Sequence, residues 1–174
     1  MTIDFPTIIP KFDAILARGL SAGLGERGGQ MCIEAAICAA LDLPHGDAPS
    51  CVEPAVRTYK IRLNDAGWSS PQARANGLRD LGIAQIGSAG VVDGRLFVAR
   101  LTEQTIRVLI PSLFRSVFST TITCLDAARR CENEGSAAAA NAAANAAATA
   151  AAYAAAAANA KAAAYAAATA NAKA

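Results

Sequence analysis

The chain has 174 residues and a formal net charge of +2, with 16 Lys and Arg against 14 Asp and Glu. Two of the cations, Lys161 and Lys173, lie in the alanine-rich end, so the rest of the chain is charge-balanced. That balance argues against nucleic acid and anionic membranes as partners, since both need clustered Lys and Arg.

The opening MTIDFPTIIPKFDAIL carries Asp4 and Asp13, Pro6 and Pro10, and no basic run before an apolar stretch. It does not read as a signal peptide, and a cytoplasmic location is expected. The five cysteines are odd in number and sit mostly in helical patterns, which fits reduced thiols better than a disulfide framework.

No segment alternates as a strand does, whereas several show the helical period, so the expected class is all-α. A first helix is expected over about Lys11 to Leu20, stopped by the glycines of SAGLGERGG. A second runs from Gln30 to Leu41, with Glu34 as its one charge, and should be buried nearly all round. An ionised carboxylate there needs a partner. Because 12 of the 16 basic residues are Arg, a Glu34–Arg bridge is expected in preference to a catalytic acid.

Ser50 and Glu53 have capping-box spacing at the head of a third helix that Gly67 would end. Ser70 and Pro71 start a fourth, with Gln72, Asn76, Arg79 and Asp80 on one face and Ala73, Gly77 and Leu81 on the other. Trp68 would anchor the turn between these helices. After a glycine turn, Asp93 can cap a short helix and Thr102 a longer one. In the latter, Ile106, Leu109, Ile110, Leu113, Phe114 and Val117 form a helical stripe that Pro111 should kink. The run LGIAQIGSAGVVDGRLFVARL loosely suggests a helix-turn-helix, but Arg95 and Arg100 are thin for reading DNA and two packed helices are the simpler meaning. A last helix, about Thr121 to Cys131, leads to Gly135 as a hinge and Ser136 as the N-cap of the tail.

The expected organisation is a compact multi-helix domain over residues 1–134 followed by a long alanine-rich helical tail over 135–174. From Ala137 the chain contains only Ala, Asn, Thr, Tyr and Lys, and AAYAAAAANAKA (Ala151 to Ala162) recurs as Ala163 to Ala174 with one change. Without Gly or Pro, such a tail should form a helix on the order of 57 Å long. It is too polar for a membrane span. Its four-residue polar spacing winds around the helix and leaves a spiral alanine groove that permits close helix approach. Tyr153, Lys161, Tyr165 and Thr169 are the candidate contact residues, and self-association or a helical protein partner is the expected use.

The blocks GQMCIEAAICAALDLPHGD and KIRLNDAGWSSPQARANGLRDLGIAQIGS resemble stretches of bacterial proteins that also carry alanine-rich helical tails, over roughly residues 28–118. That resemblance implies a bacterial or phage-like origin and brings no activity, cofactor or catalytic residue with it.

Two rival chemistries are open. Gln30 and Cys32 at a helix start resemble the Gln and Cys of papain-like cysteine peptidases, which implies a thiol hydrolase with His45 as base and Glu34 or Asp47 in support. The match departs at the base, since His45 follows in the loop at the far end of the same short helix. Cys38, His45, Asp47 and Cys51 have the ligand types for zinc, although their spacing matches no familiar finger. The tail is similar to the alanine-rich type I antifreeze proteins of fish, but Thr149 and Thr169 fall on opposite helix faces, against ice binding. No cofactor is expected.

Overall fold

The computed structural model describes residues 3–171, with side chains through residue 162. Among them the regular structure is helical, and β pairing is confined to isolated bridges of Met31 with Leu20 and Gly25. The all-α class therefore holds. Among the described residues no helix is long and apolar enough to cross a membrane. The chain divides into two compact units, Met1–Val98 and Ala99–Ala174.

In the first unit, α1 (Phe5–Leu16) begins six residues before the expected Lys11. Pro6 sits in its first turn, where no amide hydrogen is required, and Pro10 is accommodated within the helix. Ile8, Phe12 and Leu16 recur at four-residue spacing and form its buried face. The loop that follows closes on itself: Ser21 N donates to Met31 O at 3.1 Å and Cys32 N to Leu24 O at 3.1 Å. Gly25 permits this closure. Its φ is +70°, and a Cβ there would stand 2.3 Å from Gln30 O.

The central element is α2 (Ile33–Ala40), which packs on α1, on α3 (Pro54–Asn64) and on α4 (Pro71–Gln85). Seven of its eight residues are buried, as its apolar sequence predicts. Each large aliphatic side chain buried there contributes about 1.5–3 kcal/mol, which is ample to hold so short a helix.

Glu53 caps α3 itself, accepting from Ala55 N at 2.6 Å and Val56 N at 3.0 Å. The expected capping box with Ser50 is not made, because Pro54 occupies the first helical position and places Glu53 at the cap. Ser70 caps α4 as expected, accepting from Ala73 N at 3.0 Å. The buried face of α4 is Ala75, Leu78, Gly82 and Gln85, while Gly77 and Leu81 are exposed. Gly82 lies where Phe12 and Ile33 approach too closely for a side chain, and this contact sets the rotation of the helix. Trp68 donates to Leu63 O at 2.9 Å and lies over Gly77, anchoring the turn between α3 and α4.

Asp93 caps α5 (Gly94–Gln104), accepting from Arg95 N and Leu96 N. No new helix starts at Thr102. Instead α5 continues into a π-helical turn, Thr105–Leu109, and then α6 (Ile110–Val117). Pro111 supplies no amide hydrogen to the helix ladder, and the widened turn directly before it is how the helix accommodates that loss without a sharp break.

The second unit is completed by α7 (Ile122–Glu134) and α8 (Ala137–Asn171). Gly135, at φ +61°, is the left-handed C-cap of α7, and Ser136 caps α8 by accepting from Ala139 N at 3.1 Å. Arg107 closes the end of α7 by donating to Glu132 O at 2.6 Å, Asn133 O at 3.0 Å and Glu134 O at 3.2 Å. A cation on the exposed carbonyls of a helix end is favourable on both hydrogen-bond and dipole grounds. The core here joins Ile106, Phe114, Cys124, Ala128 and Cys131 to Ala139 and Ala143 of α8. The expected junction at 134/135 thus falls inside this unit.

Candidate functional site

The sequence-derived candidates of the first unit lie on α2 and in the loop that follows it, and Cys32, Glu34 and Asp47 line one small cavity. Cys32 is its N-cap residue: the sulfur accepts from Ala35 N at 3.4 Å, and the side chain is buried. Burial raises the thiol pKa, against the two backbone amides that lower it, and the charges of Glu34 and Asp47 raise it further. A thiol in that setting stays protonated at neutral pH. His45 Nε2 faces Gly25 O at 3.3 Å, and neither Cys32 nor His45 hydrogen-bonds the other.

Cys38, His45 and Asp47 share a cleft of about 300 Å³, while Cys51 lines a different one with Ile3 and Gly87. Burial pushes the Cys38 thiol up to about 11. Among the described residues, no three His, Cys, Asp or Glu side chains are arranged to hold a metal ion, so the zinc reading fails on geometry.

Glu34 is fully buried and does have partners, but the expected arginine bridge is absent. Gln85 Nε2 donates to Oε1 at 2.8 Å and to Oε2 at 3.0 Å. The buried Lys60 is the largest opposing charge, followed by Arg57, with Asp47 acting the other way. Burial raises the Glu34 pKa despite these partners, and burial lowers that of Lys60 to about 8 against the opposing pull of Glu34. Lys60 Nζ and Gln85 Oε1 have no hydrogen-bond partner in the protein. Two unlike charges and an amide therefore share the interior, with one donor group and one acceptor atom that no protein atom matches.

Neither Lys60 nor Gln85 figured in the sequence reading. A signal was present: Val56, Tyr59, Lys60, Leu63 and Asn64 follow the helical spacing of an inward face, so Lys60 and Asn64 occupy apolar positions. Asn64 answers for its place by accepting from Ile33 N at 3.1 Å and donating to Ser21 O at 2.9 Å, which ties the end of α3 to the start of α2.

In the second unit, the predicted stripe divides. Ile106 and Phe114 turn inward, whereas Leu109, Leu113 and Val117 remain 58%, 58% and 60% exposed. These three stand at four-residue spacing, from the end of the π-helical turn (Leu109) through α6 (Leu113 and Val117), and make one apolar line. Nearby cations are engaged within the unit, Arg107 with Glu103 at 3.2 Å and Arg115 with Glu132 at 2.6 Å.

On α8, Ala139 and Ala143 are buried, with Ala140, Ala146, Ala147 and Ala150 partly covered, so one alanine face of the tail packs within its own unit. Tyr153 and Lys161 are exposed. The side chains of Tyr165 and Thr169 lie outside the described residues. Comparison with protein-family models, with curated proteins and with solved structures finds no match for this chain.

Proposed function

We propose that the chain is a non-enzymatic helical interaction protein that self-associates, two copies joining through the apolar line of α6. The observation that carries this reading is the exposure of Leu109, Leu113 and Val117 along one side of α6 and the turn that leads into it. Three large aliphatic side chains in a row are costly to leave in water and fit the seam of a helix pair. The occupant is a second copy because the adjacent cations are paired internally, so nothing on this face selects an acidic or basic partner, whereas an apolar line is complementary to itself across a two-fold axis.

The alanine tail serves the same end by small-residue packing. Its first turns cover α7, and the exposed stretch around Tyr153 offers further helix contact. Five free thiols, four of them buried, accord with a reducing compartment such as the cytoplasm.

Light scattering of the full chain across concentration tests the reading. A mass rising from 17.7 kDa toward twice that value is expected, and a concentration-independent monomer overturns it.

A further inference from the structure

We propose that the cavity between α3, α4 and the start of α5 is a binding site for a small uncharged aromatic hydrocarbon, one ring in size and without a polar head group. The cavity has a volume of about 200 Å³. Its walls are Val56 and Tyr59 of α3, Leu81 and Ala84 of α4, Val92, and Phe97 of α5. The rings of Tyr59 and Phe97 pack edge to face, with centroids 6.1 Å apart, and present aromatic surface for a third ring to meet. An apolar cavity of about 150 Å³ takes a benzene ring, so this one admits a single ring with a short alkyl substituent.

The polar members of the lining select against a polar ligand. Lys60 Nζ and Gln85 Oε1 are enclosed, with less than 1 Å² of accessible surface each. Gln85 Nε2 is committed to both oxygens of Glu34, and Ser88 Oγ accepts from Glu53 N at 2.9 Å. A hydroxyl carried into the cavity would shed its water and gain no hydrogen bond from Lys60 or Gln85. A carboxylate would lose far more.

The mouth fits a free molecule better than a protein partner. Of the large apolar side chains around it, Leu81 and Val92 are the exposed ones. Each adjoins a carboxylate in the chain, Asp80 and Asp93, and the Asp80 side chain is 93% exposed. A stable protein interface takes roughly 20–30 residues a side, far more than two aliphatic residues set beside solvated charges. Two such residues are enough to close over one ring.

The site is independent of the self-association face, because every residue that forms it lies in the first unit. The test is thermal unfolding of the full chain in the presence of toluene, phenol or benzoate. Toluene is expected to raise Tm in a concentration-dependent way, with phenol about tenfold weaker and benzoate without effect. Leu81→Trp and Val92→Trp, on two separate elements of the rim, should each fill the cavity and abolish the toluene shift, so either variant serves if the other fails to fold. A Tm that toluene does not move, phenol or benzoate binding as tightly as toluene, or an unchanged toluene shift in a folded rim variant overturns the proposal. So does conversion of a dimeric parent to monomer by toluene, which would place a partner's side chain in the cavity.

Discussion

Gln85 clamps Glu34 through a single amide nitrogen that reaches both carboxylate oxygens, at 2.8 and 3.0 Å, in the interior of the first unit. This contact joins the last turn of α4 to the first turn of α2. It makes the stability of a central helix depend on a polar pair.

Removing the clamp should be costly. Gln85→Leu leaves a buried carboxylate with only the more distant charges of Lys60 and Arg57, and a loss of about 2–4 kcal/mol is expected from urea unfolding. The triple replacement Glu34→Leu, Lys60→Met and Gln85→Leu should recover most of it, because an apolar cluster of similar volume has no charge to satisfy. A triple variant no more stable than the single one would contradict this account of the cluster.

The pH dependence follows from the same group. Burial holds folded Lys60 at about 8, against an ordinary value of 10.5, so between these values the unfolded chain binds more protons and stability rises with pH. Glu34 acts in the opposite sense. Its raised pKa lets the folded chain keep a proton above 4.5, so its contribution falls as pH rises through the folded value. The difference in urea midpoint between the parent chain and Lys60→Met, followed from pH 7.5 to 10.5, isolates the contribution of the lysine. The parent should gain relative to the variant, and a flat difference would contradict the buried amine.

Thiol reactivity separates the interaction reading from a thiol hydrolase. Cys51 is partly exposed, whereas Cys32 is buried, acts as a helix cap and has a raised pKa. Iodoacetamide at neutral pH should therefore label Cys51 first and Cys32 only after denaturation. Labelling of Cys32 ahead of Cys51 in the native chain would revive the hydrolase.

Gly25 and Gly23 offer a matched pair. Both have positive φ, +70° and +66°, but a Cβ at Gly25 meets backbone at 2.3 Å and one at Gly23 meets nothing within 4 Å. Gly23→Ala should cost about 1 kcal/mol for its backbone alone, and Gly25→Ala clearly more, as the loop that seats Cys32 must open. Equal losses by thermal unfolding would show that this loop yields freely.

The parts of the fold that rest on local chemistry were legible in the letters. Ser70, Asp93 and Ser136 cap the helices they were expected to cap, and the apolar run around Ile33 and Ile37 is buried. What depends on tertiary packing was not. Pro54 gives the cap of α3 to Glu53, Gly82 rather than Gly77 faces the core, and the helix begun after Asp93 runs through Thr102 to Gln104, so that Thr102 starts none. The site was half legible: Glu34 announced itself as a lone charge on an apolar helix. Its partners, distant in sequence, could not be chosen by composition, and abundance pointed to arginine where packing supplied Gln85 and Lys60.

Sedimentation velocity of three full-length chains tests the central claim most directly: the parent, Leu113→Glu and Tyr153→Glu. Cutting the chain at Gly135 would be a poorer test, because it strips Ala139 and Ala143 from the core of the second unit. The account predicts a dimer for the parent, a folded monomer for Leu113→Glu and a dimer weakened but retained for Tyr153→Glu, whose contact is secondary to the α6 seam. A Leu113→Glu chain that associates as the parent does would contradict it.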